Sequence, residues 1–231
     1  MNSIRAVLFD AVGTVIVPEP PVARAYWLAA QQFGSQLDEP TIAERFRVAF
    51  AAEEEADALL HRGRATEQRE QLRWRRIVAH VFDEVANRRG LFDALWRHFG
   101  QSDSWRVVPG AVEGWQALAA RGLLVGVASN FDRRLEALWA GLSPLVSTPH
   151  VFASSRLGWR KPSVEFFRAI EQLLALPAER IMLVGDDLVN DYRAARAAGW
   201  RAVLVGNGDE SAVDIERIAT LDELPRLLEP D

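Results

Sequence analysis

After residue 105 the chain alternates short apolar runs with helix-length amphipathic stretches. That alternation constrains the fold more than any other feature. Residues 123–129, 151–153, 181–184 and 202–205 read as strands. Residues 114–120, 133–139, 163–174 and 192–198 read as helices, with Ser163 or Pro162 opening one and Gly199 closing another. Strands alternating with helices build βαβ units, so a doubly wound, parallel, Rossmann-like α/β sheet is predicted. Residues 4–9 form one more apolar run, of the kind buried on both faces of a parallel sheet.

Between the first run and the alternating part the texture changes. Apolar residues recur at helical spacing: Ile42, Phe46, Ala49 and Phe50, then Ile77, Val78, Val81, Phe82 and Val85, then Leu91, Leu95, Trp96 and Phe99. Pro18-Glu19-Pro20-Pro21 reads as a hinge at one end and Pro109-Gly110 as the return hinge at the other. The expected organisation is an α/β core of residues 1–17 and 105–231, interrupted after its first strand by an all-helical cap over 18–104. A chain of 231 residues is long enough for a domain carrying such an insertion. The charges of the insert, among them Glu53, Glu54, Glu55, Arg73 and Arg75, read as solvated faces.

Composition removes several classes. With no cysteine, disulfides, zinc–thiolate sites and a cysteine nucleophile are excluded. A net charge of −5 leaves no electrostatic footprint for nucleic acid or an anionic membrane. The N-terminal apolar run is too short for a secretory signal, and no stretch is long enough to span a bilayer, so a cytoplasmic protein is expected.

In open α/β sheets ligands bind beyond the carboxyl ends of the strands. Asp10 stands at one such end, Ser129-Asn130 at another and Gly185-Asp186-Asp187 at a third, with Asp191 just beyond; Lys161 follows the short 151–153 strand. Each residue alone has a plain reading, as a turn, a helix cap or a surface lysine. Together, in this order, they describe a site. Crowded carboxylates need a cation, and oxygen ligands without histidine favour Mg²⁺. A hydroxyl and an ammonium suit phosphoryl oxygens, and a carboxylate beside them can attack phosphorus.

With these residues in place, the sequence resembles the haloacid dehalogenase-like hydrolases. Asp10-Ala11-Val12-Gly13-Thr14 looks like their first motif, Ser129-Asn130 the second, Lys161-Pro162 the third, and Gly185-Asp186-Asp187-Leu188-Val189-Asn190-Asp191 the acidic form of the fourth. Residues 129–135 and 158–162 are further similar to the domain-containing protein 3 group of that family. The resemblance implies Asp10 as nucleophile, catalytic and substrate-binding roles for Ser129 and Lys161, and a substrate-side role for Asn130. It also implies Mg²⁺ held by Asp10, the Val12 carbonyl and Asp186, with Asp187 and Asp191 holding it directly or through water. The implied substrate is a small phosphorylated molecule.

One position departs from the pattern. The family's phosphatases carry an aspartate two residues after the nucleophile, as general acid and base; here it is Val12. Turnover should then favour leaving groups that need no proton, such as aryl or acyl phosphates. Glu19 is a candidate replacement. Asp-Ala-Val-Gly-Thr is also close to the Asp-Ala-Tyr-Gly-Thr of 2-haloacid dehalogenases, which use no metal. On that reading Arg45 or Arg47 would bind halide or carboxylate. The retained Asp186, Asp187 and Asp191 weigh toward the metal-dependent reading, and a non-catalytic binding protein is the third alternative. Trp159 is a candidate pocket wall, the histidines share no ligand spacing, and residues 206–208 read as a plain loop.

Overall fold

The computed structural model describes residues 4–142, 148–206 and 215–228. Its centre is a six-stranded parallel sheet in the order β5-β4-β1-β6-β7-β8. The strands are β1 (Ala6–Phe9), β4 (Leu124–Ser129), β5 (Val151–Ala153), β6 (Ile181–Gly185), β7 (Arg201–Val205) and β8 (Arg217–Ile218). The predicted doubly wound class is observed. β8 is two residues long, too short for a periodicity signal, and was not expected.

Side chains alternate across each strand, which is why these runs are apolar throughout. Val7 and Phe9 face a core with Trp115 and Leu118 of α5 (Ala111–Ala120) and Leu135, Leu138 and Trp139 of α6 (Arg134–Ala140). Ala6 and Leu8 face the other core, with Phe166, Phe167 and Ile170 of α8 (Val164–Leu174). A short α7 (Ser154–Leu157) precedes that helix. The helix expected over 192–198 begins earlier, as a π-helical turn over Leu188–Arg193 that runs into α9 (Ala194–Ala197). The cause is local: Asp187 caps the turn, accepting from Val189 N at 2.7 Å and Asn190 N at 2.8 Å.

Two short strands missed in the sequence flank the helical segment. β2 (Ile16–Pro18) pairs antiparallel with β3 (Trp105–Val107), and Pro18 lies opposite Trp105. Three-residue strands are below what alternation can reveal, and Pro18 masks the first. Between them run α1 (Val22–Gln31), α2 (Glu39–His61), α3 (Glu67–Val81) and α4 (Arg88–His98). Asp38, Thr66 and Asn87 cap the last three through Thr41 N, Arg69 N and Gly90 N. The helices share a core of their own, including Tyr26, Ile42, Ile77, Phe82 and Leu91. Among the described residues no helix is long and apolar enough to cross a membrane.

The charges of this segment are not all solvated, which corrects the sequence reading. Arg73 is buried and pairs with Glu54, while Arg75 stays exposed as expected and stacks on Phe92 at 5.0 Å. Arg160, from the loop before α8, bridges to the helices through Glu54 at 2.6 Å and a shorter contact with Asp57. Buried ions survive only when paired, and pairing between elements distant in sequence is invisible to helical periodicity. These contacts, with Glu67 accepting from Arg133 N at 2.9 Å, seat α2 and α3 beside the strand ends.

Candidate active site

β4, β1 and β6 are adjacent and in register, with Phe9 opposite both Val127 and Val184, so their carboxyl ends share one rim. Asp10 continues β1, its N–H donating to Val184 O at 2.8 Å. The chain then turns sharply: Val15 and Ile16 N–H both donate to Ala11 O at 2.9 Å, and Gly13 takes φ +94°. A side chain at Gly13 would overlap the Asp186 carboxylate, so glycine is required by close approach as well as by backbone angle. At Gly185, the end of β6, close approach alone demands glycine, here of the Asp191 carboxylate.

Lys161 stands at the centre, 2% exposed. Its Nζ donates to Asp10 Oδ1 at 2.7 Å, Asp191 Oδ1 at 2.5 Å and Ala128 O at 3.1 Å. All three donors of the ammonium are therefore used. Burial alone would lower its pKa; the charges and hydrogen bonds of Asp10 and Asp191 outweigh that and hold it well above the ordinary lysine value. Asn130 fixes the lysine's backbone reciprocally, donating from Nδ2 to Lys161 O at 3.0 Å and accepting from Lys161 N at 2.8 Å. Ser129, buried at the end of β4, lines the same cavity. Lys161→Met is expected to destabilise the protein by about 3–5 kcal/mol, since it strands Asp10 and Asp191 without their cation. A urea titration checks this; an unchanged midpoint would contradict it.

The acidic residues divide into two groups. Asp10, Asp186 and Asp191 each present an oxygen within 4.8 Å of the others. Asp186 Oδ1 accepts from Thr14 Oγ1 at 2.7 Å. The cleft shields its carboxyl from water and raises its pKa, against the Thr14 bond and with the help of the Asp10 charge. Burial likewise pushes Asp191 up to about 7, against the nearby Lys161 and with Asp10 adding to the rise. Three oxygen ligands that crowd each other's charge fit a hard divalent cation. Asp187 lies outside this trio. Its Oδ1 caps the following turn and its Oδ2 accepts from Asn190 Nδ2 at 2.9 Å.

Above the rim lies a cavity of about 780 Å³, lined by Asp10, Val12, Ser129, Lys161 and Asp186 below and by aromatic side chains of the helices. Val12 is 36% exposed and lines it. Several residues considered from sequence are elsewhere. Glu19 pairs with Arg106 at 3.2 Å, Arg45 with Asp83 at 2.6 Å and Arg47 with Glu44 at 2.6 Å. Trp159 stacks under Arg64 at 4.1 Å and does not wall the cavity. Three guanidiniums do line it: that of Arg73, which read as a solvated charge, and those of Arg134 and Arg160, which were given no role. Arg160 and Arg134 had one available signal, their nearness in sequence to Lys161 and Asn130. Of the loop at 206–208, Asn207 and Gly208 lie outside the described residues.

The family model described as haloacid dehalogenase-like hydrolase matches residues 4–199. The chain belongs to that family. Haloacid dehalogenase-like hydrolase domain-containing protein 3 of Danio rerio is 30% identical, over 98% of this chain and 97% of that protein. The L-2-haloacid dehalogenase of Xanthobacter autotrophicus superposes with a TM-score of 0.75 at 17% identity, over 97% of this chain and 98% of that one. The HAD phosphatase of Thermococcus onnurineus does so at 0.68 and 19%, with the same coverage. At such identities the structural likeness shows the fold alone. It extends to a dehalogenase and a phosphatase alike, so the chemistry of this haloacid dehalogenase-like hydrolase must be argued from its own residues.

Proposed function

We propose that this hydrolase is a Mg²⁺-dependent phosphohydrolase acting through an aspartyl-phosphate on Asp10. The observation that carries the reading is the convergence of Asp10, Ser129, Lys161, Asp186 and Asp191 under one cavity. Asp10, Asp186 and Asp191, with the Val12 carbonyl, would hold Mg²⁺. Asp187, occupied as a cap, would act through water if at all. When bound, the ion neutralises the crowded carboxylates and the phosphoryl oxygens they face.

The chain's own groups do the rest. The Ser129 hydroxyl binds a phosphoryl oxygen, the Lys161 ammonium takes one in exchange for its 3.1 Å bond to Ala128 O, and Asn130 keeps the lysine loop in place. Lys161 also holds the Asp10 carboxylate in one orientation, leaving its second oxygen for attack on phosphorus. Val12 supplies no proton, so the leaving group must depart as an anion. We propose further that residues 18–104 act as a cap that hinges at the β2–β3 pair, excludes water and sets specificity. On this reading the substrate is a small phosphorylated molecule and the protein acts in the cytoplasm.

Hydrolysis of p-nitrophenyl phosphate and acetyl phosphate with Mg²⁺ and with EDTA tests this. Turnover that EDTA abolishes and Mg²⁺ restores is the expected result. Turnover of a 2-haloacid that survives EDTA would establish the dehalogenase reading instead, and Mg²⁺ binding without any turnover the non-catalytic one. Against dehalogenation, Arg45 and Arg47 are committed to ion pairs away from the cavity.

A further inference from the structure

The cavity is far more aromatic than capture of a small phosphate requires. Phe46 and Phe50 of α2 and Trp74 of α3 form one wall, their ring centroids 5.8 to 6.5 Å apart. Phe99, Trp105 and Phe131 form another group, spaced 5.9 and 6.1 Å. All but Trp105 are only partly buried, so they keep ring surface open to the cavity. Open aromatic surface costs free energy in water, and a ligand that covers it recovers that cost.

Each arginine that lines the cavity has a carboxylate partner before any ligand arrives, and the lining acids outnumber the lining cations. Arg134 forms a two-pronged pair with Asp132 at 2.7 and 2.8 Å and stacks on Trp96 at 3.3 Å. Arg73 is paired with Glu54, and Arg160 with Glu54 and Asp57. Lys161 is the remaining lining cation among the described residues, and it sits at the nucleophile. A substrate with a second anionic group, such as a nucleotide or a carboxylated ester, would meet guanidiniums already beside carboxylates and an excess of lining acids.

We infer that this site takes phosphate monoesters of uncharged, ring-bearing phenols, the ring lying between the aromatic walls. The inference rests on the phosphohydrolase reading and names its substrate class. The valine at position 12 is consistent with it. An Asp10 oxygen bonds to phosphorus as the P–O(aryl) bond breaks, and the electron pair leaves with the phenolate. The phenolate is stable enough to depart unprotonated and takes its proton from bulk water. Water then adds to phosphorus, the P–O(Asp10) bond breaks with its pair returning to the carboxylate, and the surplus proton passes to solvent. A three-carbon haloacid or an acetyl group would leave most of a 780 Å³ cavity unfilled.

The test compares kcat/KM on 4-methylumbelliferyl phosphate and on acetyl phosphate with the Mg²⁺-loaded full chain. Binding of free 4-methylumbelliferone is followed in parallel by quenching of tryptophan fluorescence. The umbelliferyl ester is expected to be preferred by at least about tenfold, although acetate is the better leaving group. Trp74→Ala is expected to lower the ratio of the two kcat/KM values by about tenfold or more, chiefly through KM, and to weaken umbelliferone binding. Phe46→Ala serves the same purpose should the tryptophan variant not fold. Turnover of acetyl phosphate with no preference for the aryl ester, and no quenching, would overturn the inference while the phosphohydrolase reading stood. Umbelliferone quenching without turnover of either ester would sink the phosphohydrolase reading and, with it, the substrate class; the aromatic cavity alone would remain.

Discussion

Asp10→Asn is expected to lower turnover of any phosphate ester by at least about a thousandfold. The amide nearly matches the carboxylate in shape, so the turn at Gly13 and the end of β1 should persist. What disappears is the negative charge that makes the oxygen a nucleophile toward phosphorus. Lys161 keeps Asp191 as a partner at 2.5 Å and Ala128 O at 3.1 Å, so the buried ammonium is not stranded. Thermal unfolding should therefore show a folded protein while kcat collapses. Intact mass after mixing with substrate should show a phosphorylated species in the parent chain and none in the variant. Unchanged turnover in a folded variant would eliminate the aspartyl-phosphate.

The second large effect is a gain. Val12→Asp is expected to raise kcat on alkyl phosphates by roughly 10²–10⁴-fold, the usual contribution of a positioned general acid. Val12 lines the cavity and is 36% exposed, so a carboxyl there needs no repacking of the core. Its neighbours Asp10 and Asp186 would raise its pKa by charge repulsion, the direction a proton donor requires. On p-nitrophenyl phosphate, whose leaving group needs little protonation, the same substitution should change kcat only a few-fold. That contrast separates a restored acid from a general improvement of the site, and it is measured by kcat across a leaving-group series. Equal gains on both kinds of ester, or no gain on either, would mean that proton supply is not what Val12 withholds.

Much of this molecule is local in origin and could be read as such. A buried parallel strand must be apolar on both faces, so β1, β4, β6 and β7 announce themselves as uninterrupted runs. In such a sheet ligand-binding groups stand at the carboxyl ends, so Asp10, Ser129 and Asp186 followed from the strand ends alone. The helical periodicity of residues 22–99 likewise belongs to each helix by itself.

Other features arise only when distant segments meet. The three bonds of Lys161 join residues 10, 128 and 191, and no spacing rule connects those numbers. Asp187 and Asp191 are similar acids in one motif. Yet one caps a turn while the other points at the lysine, because a π-helical turn separates their directions. Arg73 looks like a surface charge in sequence, yet it and Arg160 are buried because partners on α2 neutralise them.

By itself, then, the sequence determined five of the six strands of the sheet, their ends and the hydrolase family, because backbone periodicity and strand termination are short-range properties. Only the tertiary structure decided which acids gather around the lysine, which arginines are already paired, and that the space above them is aromatic. Those depend on side chains brought together from segments up to about 170 residues apart, such as Thr14 and Asp186, and their energies exist only once burial has removed the water between them.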